Sequence, residues 1–103
     1  MGYKLIESKK SKIQLEELVR YLLFKIESSQ AAEHLLKEVK EVYQRLEENP
    51  EQFPCCQDDY LRKKKYRKAV LSTMNYTVIF KVVESQVYVM GIFHDSENYS
   101  DKL

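Results

Sequence analysis

Tyr66-Arg67-Lys68-Ala69-Val70-Leu71, then a break at Ser72-Thr73-Met74-Asn75, then Tyr76-Thr77-Val78-Ile79-Phe80-Lys81-Val82-Val83, a turn near Glu84-Ser85, and Val87-Tyr88-Val89-Met90-Gly91-Ile92-Phe93-His94: residues 66–94 are the only stretch with a hydrophobic period of two. Links of two to four residues can reverse a strand but cannot cross over to a parallel one, so three strands in an antiparallel meander are expected. Strict alternation puts Tyr76, Val78, Phe80 and Val82 on one face of the second strand, and Thr77, Ile79, Lys81 and Val83 on the other. In the third it sets Val87, Val89, Gly91 and Phe93 against Tyr88, Met90, Ile92 and His94. Both faces are largely apolar, which requires helices over one and partial cover over the other. The first strand continues a basic run, Arg62-Lys63-Lys64-Lys65-Tyr66-Arg67-Lys68, with six cations in seven residues.

Outward from the meander, the rest of the chain supplies its cover. From Ile13 to Ile26 the apolar positions Ile13, Leu15, Leu18, Val19, Leu22, Leu23 and Ile26 form one helical stripe, with Ser8 or Ser11 available as its cap. A second stripe, Ala32, Leu35, Leu36, Val39, Val42, Tyr43 and Leu46, predicts a helix from Ala31, capped by Ser29 and stopped at Asn49-Pro50. The three-residue link 28–30 makes the two an antiparallel hairpin. Tyr3 to Ile6 reads as a brief edge strand. Residues 50–61 have no period and two prolines, and are expected as the one long connection, pinned by Phe53. The polar tail after His94 either frays or folds over the sheet. The expected architecture is α+β in two layers: a short N-terminal strand and a helical hairpin packed on a three-stranded antiparallel meander.

At 103 residues the chain makes one domain over residues 1–103, with a single modest core. It is 44% hydrophobic and 32% charged with two Gly and two Pro, leaving little scope for linkers. No run of about 18 apolar residues exists and the N-terminus lacks a signal peptide's apolar core, so the expected address is the cytoplasm. Ile6 stands where a myristoylation signal needs Ser or Thr. Cys55 and Cys56 are adjacent, a spacing that favours two reduced thiols, and with no nearby His or further Cys they do not form a zinc site; no metal or cofactor is expected. Net charge is +1, but residues 61–71 carry six cations and no acid while residues 51–60 carry three acids and no cation, so the field is local.

Ala31-Ala32 opening the second helix, Asn49-Pro50-Glu51-Gln52-Phe53 closing it, Arg67 on the first meander strand, Asn75-Tyr76-Thr77-Val78-Ile79-Phe80 on the next and Ile92-Phe93-His94 at the end give a chain that resembles, over nearly its whole length, the RelE/ParE family of bacterial toxins. That resemblance implies the toxic half of a type II toxin-antitoxin module, inhibiting growth until bound by a cognate antitoxin. It also implies one of two targets: ribosome-bound messenger RNA, which RelE-like members cut, or DNA gyrase, which ParE-like members inhibit by binding.

RNA cleavage needs a base, an acid and cationic stabilisation of the charged intermediate. The candidates here are His94 as base or acid, with Arg67 or Lys65 as stabiliser, two residues that share a face if both lie on the first strand. The cation that the nuclease branch carries after Tyr76 is replaced by Thr77, and Asp95, Ser96 and Glu97 follow His94. Those departures favour the ParE-like reading, with the nuclease and a non-toxic, antitoxin-binding relative as alternatives. Arg62, Lys63, Lys64, Lys65, Arg67 and Lys68 are the candidate contacts to nucleic acid or another target, with Tyr66 and Tyr99 (and Tyr60) interleaved as aromatic contacts. The antitoxin is expected to fold on binding, along the helical hairpin or at a sheet edge. No membrane partner is expected, and the sequence leaves the oligomeric state open.

Overall fold

The structure, a computed structural model, describes residues 2–103. β1 (Lys4–Glu7) leads into α1 (Lys9–Arg20), a π-helical turn (Tyr21–Lys25) and α2 (Ser29–Glu48). A 3-10 turn (Pro50–Gln52) and α3 (Asp59–Lys63) precede β2 (Arg67–Val70), β3 (Tyr76–Val83) and β4 (Gln86–His94), and a second 3-10 turn (Tyr99–Lys102) ends the chain. The expected meander is present, and β1 joins it parallel to β4, so the sheet has four strands in the order β1-β4-β3-β2.

Caps set the helix boundaries. Ser8, not Ser11, caps α1 by accepting from the Ser11 amide, and the helix starts four residues before the first apolar position. Ser28 rather than Ser29 does the same for α2 through the Ala31 amide. The first stripe is the larger correction. In the π turn the Ile26 amide reaches back five residues to the Tyr21 carbonyl, which rotates the end of the helix. Leu22 stays buried while Leu23, Ile26 and Phe24 face outward, Phe24 at 77% exposure. The second stripe buries Ala32, Leu35, Val39, Val42 and Leu46, but Tyr43 is only half-buried and Leu36, at its margin, is exposed.

Each face of the sheet has its own core. Under the helices lie Tyr76, Val78, Phe80, Val87, Val89 and Ile92; on the opposite face Ile79 and Phe93 pack with Cys56, Leu61, Tyr66, Tyr99 and Leu103. The cover on that second face comes from the 56–66 segment and from the tail, which folds back so that Tyr99 stacks on Phe93 at 5.6 Å. The aperiodic connection therefore contains a helix, too short to show a stripe. Asp58 caps α3 through the Leu61 amide, and Leu61 is fully buried.

Strict alternation fails along β4. Ile79 pairs with Gly91 and Phe80 with Val89, so Met90 is the extra residue of a β-bulge. One added residue exchanges the faces beyond it: Ile92 goes under the helices, Phe93 to the far side, and His94 returns to the helix side, edge-on to Tyr76 at 5.3 Å.

A buried acid ties the helices to the β2–β3 connection. Glu38, 5% exposed on the inner face of α2, accepts from the Thr73 amide (3.0 Å) and the Thr73 hydroxyl, and pairs with His34 at 2.9 Å. Burial pushes its carboxyl up, but the bonds from Thr73, with His34 and the Met74 amide, outweigh it and hold the group below its ordinary value. Because the folded value is depressed, Glu38 stabilises fully above the unfolded value, and the contribution is lost as pH falls through the folded one. Glu38→Gln is expected to cost about 1–2 kcal/mol at neutral pH and to flatten the acid limb of stability against pH, as read by urea unfolding at several pH values. An acid limb identical to wild type would mean that Glu38 is not its source.

Candidate functional site

The basic run divides between two elements. Arg62 and Lys63 end α3, Lys64 caps it, Lys65 forms the turn and Arg67 opens β2. Lys65 is therefore not a strand residue sharing a face with Arg67. It sits at φ 64° just past the helix, where its amide bonds to Arg62 and the Tyr66 amide reaches the Leu61 carbonyl. The left-handed position at a helix C-terminus is one that glycine usually fills.

Even so, the turn brings Arg62, Lys65 and Arg67 to one open cleft of about 460 Å³, together with Glu51, Cys55, Val82 and Glu84. Two of the cations are fixed by carbonyls. Arg67 Nη1 donates to the Phe53 oxygen at 2.6 Å, and Arg62 Nη2 to the Gln57 oxygen at 3.0 Å. Phe53 is in turn held between Phe80, edge-on at 5.9 Å, and the Arg45 guanidinium at 4.9 Å. Lys63 and Lys64 are exposed, and Lys68 is half-buried on the strand's other face, paired with Ile79.

Of the three interleaved tyrosines Tyr60 is the exposed one, at 48%. Tyr66 is 6% exposed within the second core, Tyr99 lies against Phe93, and Tyr60 carries the Lys64 ammonium over its ring at 4.7 Å. Burial, with nearby Cys56, Asp95 and Asp58, pushes the Tyr99 hydroxyl up.

His94 stands at the other end of the sheet. It pairs with Tyr76, whereas Arg67 pairs with Phe80, four residues or about 13 Å further along β3, and the two lie on strands that flank β3 on opposite sides. Its Nδ1 accepts from the Ser96 amide at 3.1 Å and lies 2.7 Å from the Ser96 hydroxyl, which puts the neutral ring's proton on Nε2. Glu97 accepts from the His94 amide and pairs with Lys102; that Lys102 bond, followed by the His94 amide, holds the carboxyl low against burial. Asp95 accepts from Thr77 at 2.7 Å, and Asp58, Asp95, Glu97 and Tyr99 share a pocket of about 260 Å³. The structure thus parts the sequence-derived trio: Lys65 and Arg67 share a basic cleft, while His94 sits at the far end of β3 with Glu97 on its amide. Glu51, Val82 and Glu84 of the cleft escaped the sequence reading because they come from distant segments with no local signal.

A third feature lies across the molecule. Leu15 and Val19 of α1 and Leu36 of α2 floor an apolar groove of about 440 Å³ beside β1, rimmed by Glu7, Lys12, Glu16 and Arg20. No helix among the described residues is long and apolar enough to cross a membrane.

Comparison with known proteins places this arrangement. The sequence profile described as "ParE toxin of type II toxin-antitoxin system, parDE" matches residues 5–99. No curated protein matches the chain. Among solved structures, one described as "Chromosomal ParDE TA system from P. aeruginosa" superposes with a TM-score of 0.73 at 14% identity, covering 90% of this chain and 96% of that one, a likeness of fold.

Proposed function

The chain belongs to the ParE toxin family of type II toxin-antitoxin systems, and from that premise we propose that it arrests growth by binding DNA gyrase rather than by cutting RNA. The observation that carries this reading is the separation of His94 from Lys65 and Arg67. General acid-base cleavage needs the proton-transfer group and the cations around one phosphate. Here about 13 Å of strand divides them, His94 Nδ1 is engaged by Ser96, and the two acids that follow it, Asp95 and Glu97, bring no cation to its side.

Neutralisation falls to a cognate antitoxin, which we place in the apolar groove. Leu15, Val19 and Leu36 offer spaced apolar contacts, and the rim charges of both signs suit an amphipathic helix. Cytoplasmic action follows from the same reading, since gyrase and its DNA are there.

Plasmid supercoiling by purified gyrase tests the proposal: the antitoxin-free chain is expected to inhibit it and to leave a message on programmed ribosomes intact by primer extension. Cuts at the A-site codon would overturn it. His94→Ala is expected to keep inhibition within about twofold of wild type, because the ring has no chemical step to perform. Inhibition lost in a folded His94→Ala protein would mean that the ring takes part in the gyrase contact.

A further inference from the structure

The turn between α3 and β2 places Arg62, Lys65 and Arg67 around one cleft at the β2 edge of the sheet, where residues 54–56 pair with the strand. Phe53 and Gln57 carbonyls each take one N–H of the two arginines, which orients the guanidinium groups and leaves most of their five donors for a ligand. Lys65 occupies a left-handed position that glycine would take without strain, and its exposed side chain adds a third cation.

We propose that this cleft binds the phosphodiester backbone of duplex DNA. Charge selects an anion: three cations face two acids, Glu51 and Glu84, and Lys63 and Lys64 extend the field outward. Chemistry argues against a protein partner, because Val82 and Cys55 are the only uncharged lining residues and neither forms the apolar pocket in which an interface anchors. Single strands and RNA are recognised by stacking unpaired bases on aromatic rings. The described lining of the cleft holds no aromatic ring, Tyr66 is buried, and Tyr60, half exposed, lies outside that lining with the Lys64 ammonium over its ring, so a helix that keeps its bases stacked and presents phosphates is the better fit. The cleft lies at β2 and the apolar groove at β1, opposite edges about 14 Å apart across the sheet. A partner seated in the groove therefore leaves the cleft open.

The test is fluorescence anisotropy of the full chain with labelled duplex DNA, single-stranded DNA and RNA of equal length, over a range of salt. R62Q/K65Q/R67Q is expected to lose about tenfold or more in duplex affinity and to reduce the salt slope by about 2–3, whereas K4Q/K37Q/K40Q, an equal charge change elsewhere, is not. Since Arg67 also supports the Phe53 segment, K63Q/K64Q/K65Q, which touches no side-chain hydrogen bond to a carbonyl, is expected to show a smaller loss of the same kind. Unmodified protein offers an independent readout: Cys55 is exposed in the cleft and Cys56 is buried, so bound duplex is expected to slow alkylation of Cys55. Equal losses in the cleft variants and K4Q/K37Q/K40Q, or unprotected Cys55, would overturn the proposal. So would tighter binding of RNA or single strands, or an acidic peptide that binds as tightly as the duplex. Gyrase is absent from these measurements, so their failure and that of the gyrase proposal are distinguishable.

Discussion

Gly91→Ala is expected to destabilise the fold by about 2–4 kcal/mol, and Gly91→Val by more, a large part of the stability of a domain this size. The cause is space rather than backbone freedom. A Cβ at this position would lie 2.6 and 2.7 Å from the Cε2 and Cζ atoms of Phe93 and 2.9 Å from Oε1 of Gln14. Phe93 is 1% exposed in the second core and has little room to turn. Gln14 accepts the Ile92 amide at 3.0 Å, so displacing it strands the amide next to the bulge. The bulge decides which face Ile92, Phe93 and His94 occupy, so the substitution strikes the feature that orients the end of β4. Thermal unfolding followed by circular dichroism should show Tm lower by about 10–25 °C for the alanine variant. Gly2→Ala, with nothing within 4 Å, is the control and should melt with wild type. A Gly91→Ala protein that melts within a degree or two of wild type would show that the two side chains yield.

Phe80→Ala is expected to cost about 3–5 kcal/mol, the range for emptying a large aromatic site in a packed core. Phe80 is fully buried under the helices. Its loss reaches the basic cleft, because Phe80 supports Phe53 and the Phe53 carbonyl holds Arg67. Two readouts follow. Urea unfolding should move its midpoint with little change in slope, and Cys55, in the cleft two residues beyond Phe53, should be alkylated faster in the folded variant. Faster unfolding with unchanged Cys55 reactivity would mean that the cleft does not depend on the Phe53–Phe80 contact.

Legibility varied with how local each signal was. The meander, the second helix and the brief first strand follow from the spacing of apolar residues within one segment, and all are present. α3 escaped because five residues cannot display a helical period; only Asp58, three residues before buried Leu61, hinted at a capped turn. Glu38 was visible in principle, as a carboxylate on the inner side of a stripe running Leu35, Val39, Val42. Its partner Thr73 lies 35 residues away, and no pattern within α2 points to it.

The sequence alone determined the α+β class, the two-sided apolar sheet, the concentration of cations at residues 62–68 and the family resemblance. These depend on side-chain type and period, which are properties of short segments. The tertiary structure decided where the chemistry sits. One bulge residue, Met90, reversed the faces beyond it and set His94 on the helix side against Tyr76. One left-handed turn at Lys65 took that residue out of the strand yet kept its charge beside Arg62 and Arg67. Register and turn geometry arise from contacts between segments far apart in the chain, so neither the parted trio nor the shared cleft could be read before the chain was folded.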